Sequence, residues 1–331
     1  MEAPPRYSDK RLADSFTAYI LFSEPLQGSG AEVLEAARED YPEIAWPETL
    51  LADCKIDTQG VSMVVDFDGG ADTGAIYLLG SPGPLDVDLS EMIEKSAHVT
   101  GRDAARRIVT THTDHLSIVV HGLPGDSSVA ARFAAARKMA CLTGVLAKLP
   151  TALGVYFPSA DLILTPERWL RGVDLARKGE LPLSEWLATV WSMGEDTDGG
   201  ELWSASTIGL AAFTGHEINV PRAPVEPAVI GDITGAVARM LVEADHMFRD
   251  SDTVGGEDDP LKWRIRHLPE ASDGPQTDTW VLLHPEADVD EEGVFGPRSL
   301  PPAPEGFDNS VMGDGDHPRT GLRGLSGRRV H

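Results

Sequence analysis

An α+β fold, with a mixed, largely antiparallel sheet packed by two long helices, is what this sequence predicts. Three observations lead there. Strand-like runs often come in adjacent pairs, which favours antiparallel pairing over a doubly wound parallel sheet. Two long runs, at about 127–148 and 232–249, carry apolar residues at helical spacing. With 331 residues, 41% of them hydrophobic, the chain can build a core without covalent staples. Its two cysteines, Cys54 and Cys141, do not form a disulfide framework.

The first strand is predicted at Phe16–Phe22, β-branched and aromatic, closed by Glu24-Pro25. A helix follows at about 29–40, where Ser29 and Glu32 have capping-box spacing and Tyr41-Pro42 stops the run. Val61–Phe67 and Ala75–Leu79 read as strands around the turn-rich DGGADTG. Asp88 and Glu91 can start a short helix, and His115–Val120 is another strand. In the helix at 127–148, Val129, Phe133, Ala136 and Ala140 form the apolar stripe, with Arg132, Arg137 and Lys138 outside it. Leu153–Phe157 reads as a buried strand, and Thr165-Pro166 opens a helix with proline at its first position. Trp186–Trp191 and Trp203–Phe213 read as strands. Asp232 is the predicted cap of the second long helix, and Lys262–Leu268 pairs with Thr279–Leu283 as a hairpin. The expected organisation is a flexible N-terminus over 1–15, a single α+β domain over 16–285 and a disordered Pro/Gly-rich tail over 286–331.

Charge narrows the partners. The formal net is −25, from 53 acids against 28 Lys and Arg, with one basic island at 101–150. Such a surface repels phosphate, so nucleic acid and anionic membranes are poor partners and a basic protein is a good one. There is no apolar run long enough to span a bilayer and no signal-peptide pattern, so a cytoplasmic protein is expected.

Four candidate sites carry chemistry-bearing residues. MVVDFDGG, with Asp66 and Asp68, resembles the first motif of haloacid-dehalogenase-type phosphatases, where one Asp is a nucleophile and Mg²⁺ is bound. The resemblance breaks at Gly70, where that family has Thr, and a hairpin turn accounts for the same residues. THTDH offers His112, Asp114 and His115 as ligand types, without the i, i+4 helical spacing of a zinc protease. A polar strand entry is the better explanation of the same residues. Cys141 sits in the apolar half of a helix and reads as a small buried hydrophobe rather than a nucleophile. Gly215-His216-Glu217 interrupts a β-rich run; its plain reading is a turn in which Gly215 supplies a positive φ. There is no P-loop, dinucleotide or Gly-x-Ser-x-Gly fingerprint, so neither cofactor nor catalytic residue is assigned.

AYILFSEPL, LAKLPTALGVYFPSADLILTPE, WLATVW and STIGLAAFTGHEINV together resemble a bacterial family built on a domain of unknown function. That family pairs an opening "hhLL-x-x-P" strand with a late "GL-x-x-hG-x-E" motif, h being hydrophobic. Its Gly and Glu fall here on Gly215 and Glu217. The resemblance implies an association with type VI or other toxin-delivery loci, and with it an immunity or adaptor role. The expectation is a non-enzymatic protein-binding protein, with Gly215, His216 and Glu217 as the binding candidates. The alternative is a metal-dependent hydrolase using Asp66 and Asp68, or His216 and Glu217.

Overall fold

The computed structural model describes residues 15–46, 55–57, 62–65, 75–81, 83–121, 128–195, 199–244, 246, 248–255, 262–268 and 278–284. Asp66, Asp68, Cys54 and the expected tail over 286–331 lie outside them.

The chain opens with β1 (Ser15–Phe22) and a short β2 (Gln27–Ser29). It then enters α1 (Gly30–Asp40) through the expected capping box, with Ser29 and Glu32 bonding each other's backbone amides. β3 (Lys55–Asp57), β4 (Ser62–Val65) and β5 (Ala75–Ser81) follow. Next come α2 (Ser90–Ser96), α3 (Arg102–Thr111) and β6 (Asp114–His121). The sequence reading has no counterpart of α3. Its Arg102, Arg106 and Arg107 face solvent, and Ala105 and Ile108 are its buried anchors, so its apolar stripe is only two residues wide.

α4 (Val129–Ala147) is the central helix. β7 (Ala152–Phe157), β8 (Leu162–Leu164) and α5 (Pro166–Ala176) come next, Thr165 capping α5 as expected. The short α6 (Leu183–Trp186) takes up the tryptophan expected to begin a strand, and β9 (Ala188–Glu195) starts after it. β10 (Glu201–Ile208) stops before a helical turn, α7 (Ala211–Thr214), and β11 (His216–Ala223) runs on through Pro221. Proline is tolerated there because the β10–β11 register shifts at that point and β14 pairs with β11 only as far as Asn219. The second long helix, α8 (Pro227–Glu243), begins and ends five to six residues earlier than expected. Pro227 at its first turn is the true start, and Asp232 lies inside it. Phe248, seven residues beyond Leu241, is buried but off the helix. β12 (Thr253–Val254), β13 (Trp263–Leu268) and β14 (Asp278–Leu283) complete the order, the last two pairing as the expected antiparallel hairpin.

The α+β class holds; the described residues form two six-stranded sheets and a two-stranded β2–β3 ribbon rather than one sheet. The first has the order β4-β5-β6-β1-β7-β8 and is antiparallel throughout. The second has the order β12-β13-β14-β11-β10-β9, with β11 and β14 its one parallel pair. α4 packs on β1, β6 and β7 of the first sheet and also touches α1, α5, α7 and α8. Packed from several directions, it buries Arg132 as well as its apolar stripe. On the far face of the first sheet, α2 and α3 cover Leu21, Tyr156 and Ile163 through Leu89, Ala105 and Ile108. α8 lies against β10 and β11, so the main core runs unbroken from Phe16 in the first sheet to Trp280 in the second.

Candidate functional site

The most polar construction in the interior is the connection from β10 to β11, residues 207–218. Gly209 starts it at φ +107, where a Cβ would lie 2.9 Å from the Trp186 carbonyl oxygen and 3.0 Å from Ala160 Cβ. No L side chain suits that conformation or that space. Leu210 and Phe213 are fully buried, and Phe213 lies 6.0 Å from Trp186, its ring parallel to within 4°. Gly215 ends α7 in the left-handed region at φ 78, as the sequence reading required of it.

Glu217 then reaches back over this turn. Its Oε1 accepts from the Gly209 and Ala211 amides at 2.9 and 3.1 Å. Its Oε2 accepts from the Thr207 hydroxyl at 2.6 Å and the Leu210 amide at 3.3 Å. The residue as a whole is half-buried, while its carboxyl end is enclosed. Burial pushes the carboxyl up to about 7, against the downward pull of Thr207, Ala211, Gly209 and Leu210. Thr207 is a junction: its Oγ1 also accepts from the Ile218 amide at 2.8 Å. Three orphan amides at the start of a helical turn thus receive one carboxylate, as an N-cap would supply.

His216 belongs to a different cluster. Its ring is fully buried; Nδ1 lies 2.8 Å from the Thr214 carbonyl and Nε2 lies 3.1 Å from His267 Nε2. A carbonyl can only accept, so Nδ1 carries the proton, and in a neutral ring Nε2 accepts from His267. Trp280 flanks both rings, with centroids 5.0 Å from His216 and 4.9 Å from His267. Gly215, His216 and Glu217 therefore do not converge on one point. The glycine turns the chain, the histidine joins the pair beneath β14, and the glutamate closes the loop.

His112 and His115 hold a loop. His112 Nδ1 donates to the Val109 carbonyl at 2.7 Å while Nε2 accepts from the Leu85 amide at 2.9 Å. His115 Nδ1 lies 3.1 Å from the Gly83 carbonyl. Both rings tie segment 83–85 to the end of α3 and the start of β6. Among the described residues, no group of three or more His, Cys, Asp or Glu is arranged to hold a metal.

Sequence reasoning overlooked one further cluster. Glu185, 1% exposed, has Oε1 3.5 Å from Arg168 Nε and accepts from Ser184 Oγ at 3.0 Å. Burial raises its carboxyl; Arg168, Ser184 and Arg171 oppose that. Gly172 allows the approach, since a Cβ there would meet Glu185 Cβ at 2.8 Å. The charge sits inside LPLSEW, one residue before the run Trp186–Trp191 that reads as a strand.

Residues 206–283 match the model of a domain of unknown function, DUF4261. The match covers about a quarter of the chain and contains the whole Gly209–Glu217 motif, the histidine pair and α8. No curated protein and no solved structure matches the chain. Among the described residues, no helix is long and apolar enough to cross a membrane.

Proposed function

We propose that the chain is a non-enzymatic binding protein for a basic protein partner, acting as an immunity or adaptor protein of a bacterial toxin-delivery system such as type VI secretion, in the cytoplasm. The observation that carries the non-enzymatic part is the occupancy of Glu217. Its two oxygens accept four hydrogen bonds from the protein's own donors, as a structural staple closing a turn does.

Charge supports the choice of partner. Glu32, Glu35 and Glu39 line the exposed side of α1 at helical spacing. Asp86, Asp88, Glu91 and Glu94 are exposed around α2. Surfaces of this kind speed encounter with a cationic partner and set its orientation at the rim, more than they add affinity.

The test is co-expression with the basic products of neighbouring genes, followed by stopped-flow association kinetics at two salt concentrations. A one-to-one complex whose association slows steeply with salt is expected. Absence of any complex, together with divalent-metal-dependent phosphate-ester hydrolysis that Asp66→Asn abolishes, would replace this reading with the hydrolase.

A further inference from the structure

We infer that Glu217 and Thr207 form a proton-binding site within the fold, which takes up one proton by turning the Thr207 hydroxyl while the loop it closes stays intact.

The geometry provides both states. In the ionised state the Thr207 hydroxyl donates to Glu217 Oε2 at 2.6 Å. The same Oγ1 stands 3.4 Å from a second acceptor, the Ile218 carbonyl, and accepts from the Ile218 amide at 2.8 Å. When a proton from solvent binds Oε2, the Thr207 O–H swings to the Ile218 carbonyl. Glu217 O–H then donates to the freed lone pair on Oγ1. Threonine ends with one donated and two accepted bonds, the full capacity of a hydroxyl. Oε1 keeps the Gly209 and Ala211 amides, and the remaining lone pair of Oε2 keeps Leu210. No buried donor or acceptor is orphaned in either state, so the proton is held without opening the turn.

Among the described residues, the groups that hydrogen-bond the carboxyl are all uncharged. β10 presents Thr207, and the α7 turn presents backbone amides. The ring of the adjacent His216 goes to Thr214 and His267. On β14, Thr279 stands opposite Glu217, and Asp278 stands opposite His216 in register. Burial, the largest influence on the group, favours its neutral form, and the hydrogen bonds from Thr207, Ala211, Gly209 and Leu210 oppose it.

The test is carbon-13 NMR of the full chain with labelled glutamate, Glu217 Cδ being assigned by its loss in Glu217→Gln. The expected result is a titration with its midpoint near neutrality. A carboxylate resonance that stays ionised down to about pH 5 would overturn the proposal. Thr207→Val removes the swivel and, with it, a charge-assisted bond stronger than its neutral counterpart. Proton affinity should therefore rise about tenfold. Thr207→Ser should leave the midpoint within about twofold of wild type. An unmoved midpoint in Thr207→Val, or a large move in Thr207→Ser, would show that the hydroxyl takes no part. If the valine variant does not fold, the wild-type and serine titrations still decide.

Discussion

The Gly209 amide and Glu217 Oε1, eight residues apart in sequence, meet at 2.9 Å and close the β10–β11 connection on itself. Apart from His216, every residue that stands out in GLAAFTGHE has a place in that closure. Gly209 fits where a side chain cannot, Leu210 and Phe213 anchor the turn in the core, and Gly215 reverses the chain. Glu217 receives the amides that the turn leaves open. Glu217→Ala should therefore be costly: it strips the acceptor from three enclosed backbone N–H groups at about 1–3 kcal/mol each. A loss of about 3 kcal/mol or more is expected in urea denaturation. A loss below about 1 kcal/mol would mean that water reaches those amides in place of the carboxylate.

The same group gives stability a pH dependence of definite sign. Its carboxyl is pushed from the ordinary glutamate value of 4.5 up to about 7 in the folded chain, so the folded state holds the proton more tightly than the unfolded one. Its contribution is fully present below about 4.5 and is lost as pH rises through 7. That loss amounts to about 3 kcal/mol, a figure that already includes the opposing pull of the four donors. Glu217→Gln, neutral at every pH, should flatten this part of the curve. Denaturation midpoints measured at several pH values in both proteins check it, and parallel curves would remove Glu217 as the source.

Gly209 and Gly215 both have positive φ but should differ in cost. Gly215→Ala places a methyl in the left-handed region, at about 1–2 kcal/mol. Gly209→Ala adds steric overlap to that strain, because the obstacles 2.9 and 3.1 Å away are the backbone oxygens of Trp186 and Ser159. It should cost about 2–4 kcal/mol, and equal losses in the two variants would refute the steric part.

These positions show what the sequence could and could not reveal. The turn at Gly215 was legible because glycine before a fresh alternation signals a positive φ, and the α1 cap was legible because Ser29 and Glu32 are local. The role of Glu217 was not, because its partners lie six to ten residues back and include three amides, which leave no trace in composition. The partner of His216 is further away still, 51 residues on at His267 across a parallel strand pair. α3 was missed because its buried stripe is two residues wide among exposed arginines. α8 was displaced because Asp232 is as good a cap by type as Glu226-Pro227 is by position.

The histidine pair makes a prediction about tautomers. With Thr214 accepting at Nδ1, neutral His216 must be the Nδ1–H form and His267 must donate from Nε2. Long-range nitrogen-15 correlation spectra distinguish the two forms directly. An Nε2–H His216 would mean that the ring is turned and the 3.1 Å contact is made in the opposite sense.

Cys141 links the central helix to the rest of the molecule. It is fully buried on α4, and its thiol is pushed up to about 12, chiefly by burial. At pH 8 its reactive thiolate is on the order of one part in ten thousand, and the enclosing side chains exclude reagent as well. In a Cys54→Ser background, Cys141 should therefore react with a thiol reagent only when the structure opens. α4 touches both α7 and α8, so global opening must carry the Glu217 loop with it. If opening is global, Glu217→Ala should accelerate labelling by the factor that its lost stability sets, roughly a hundredfold for 3 kcal/mol. Labelling that is slow but indifferent to Glu217→Ala would show that α4 detaches locally from the first sheet, and that the two halves of the core do not open together.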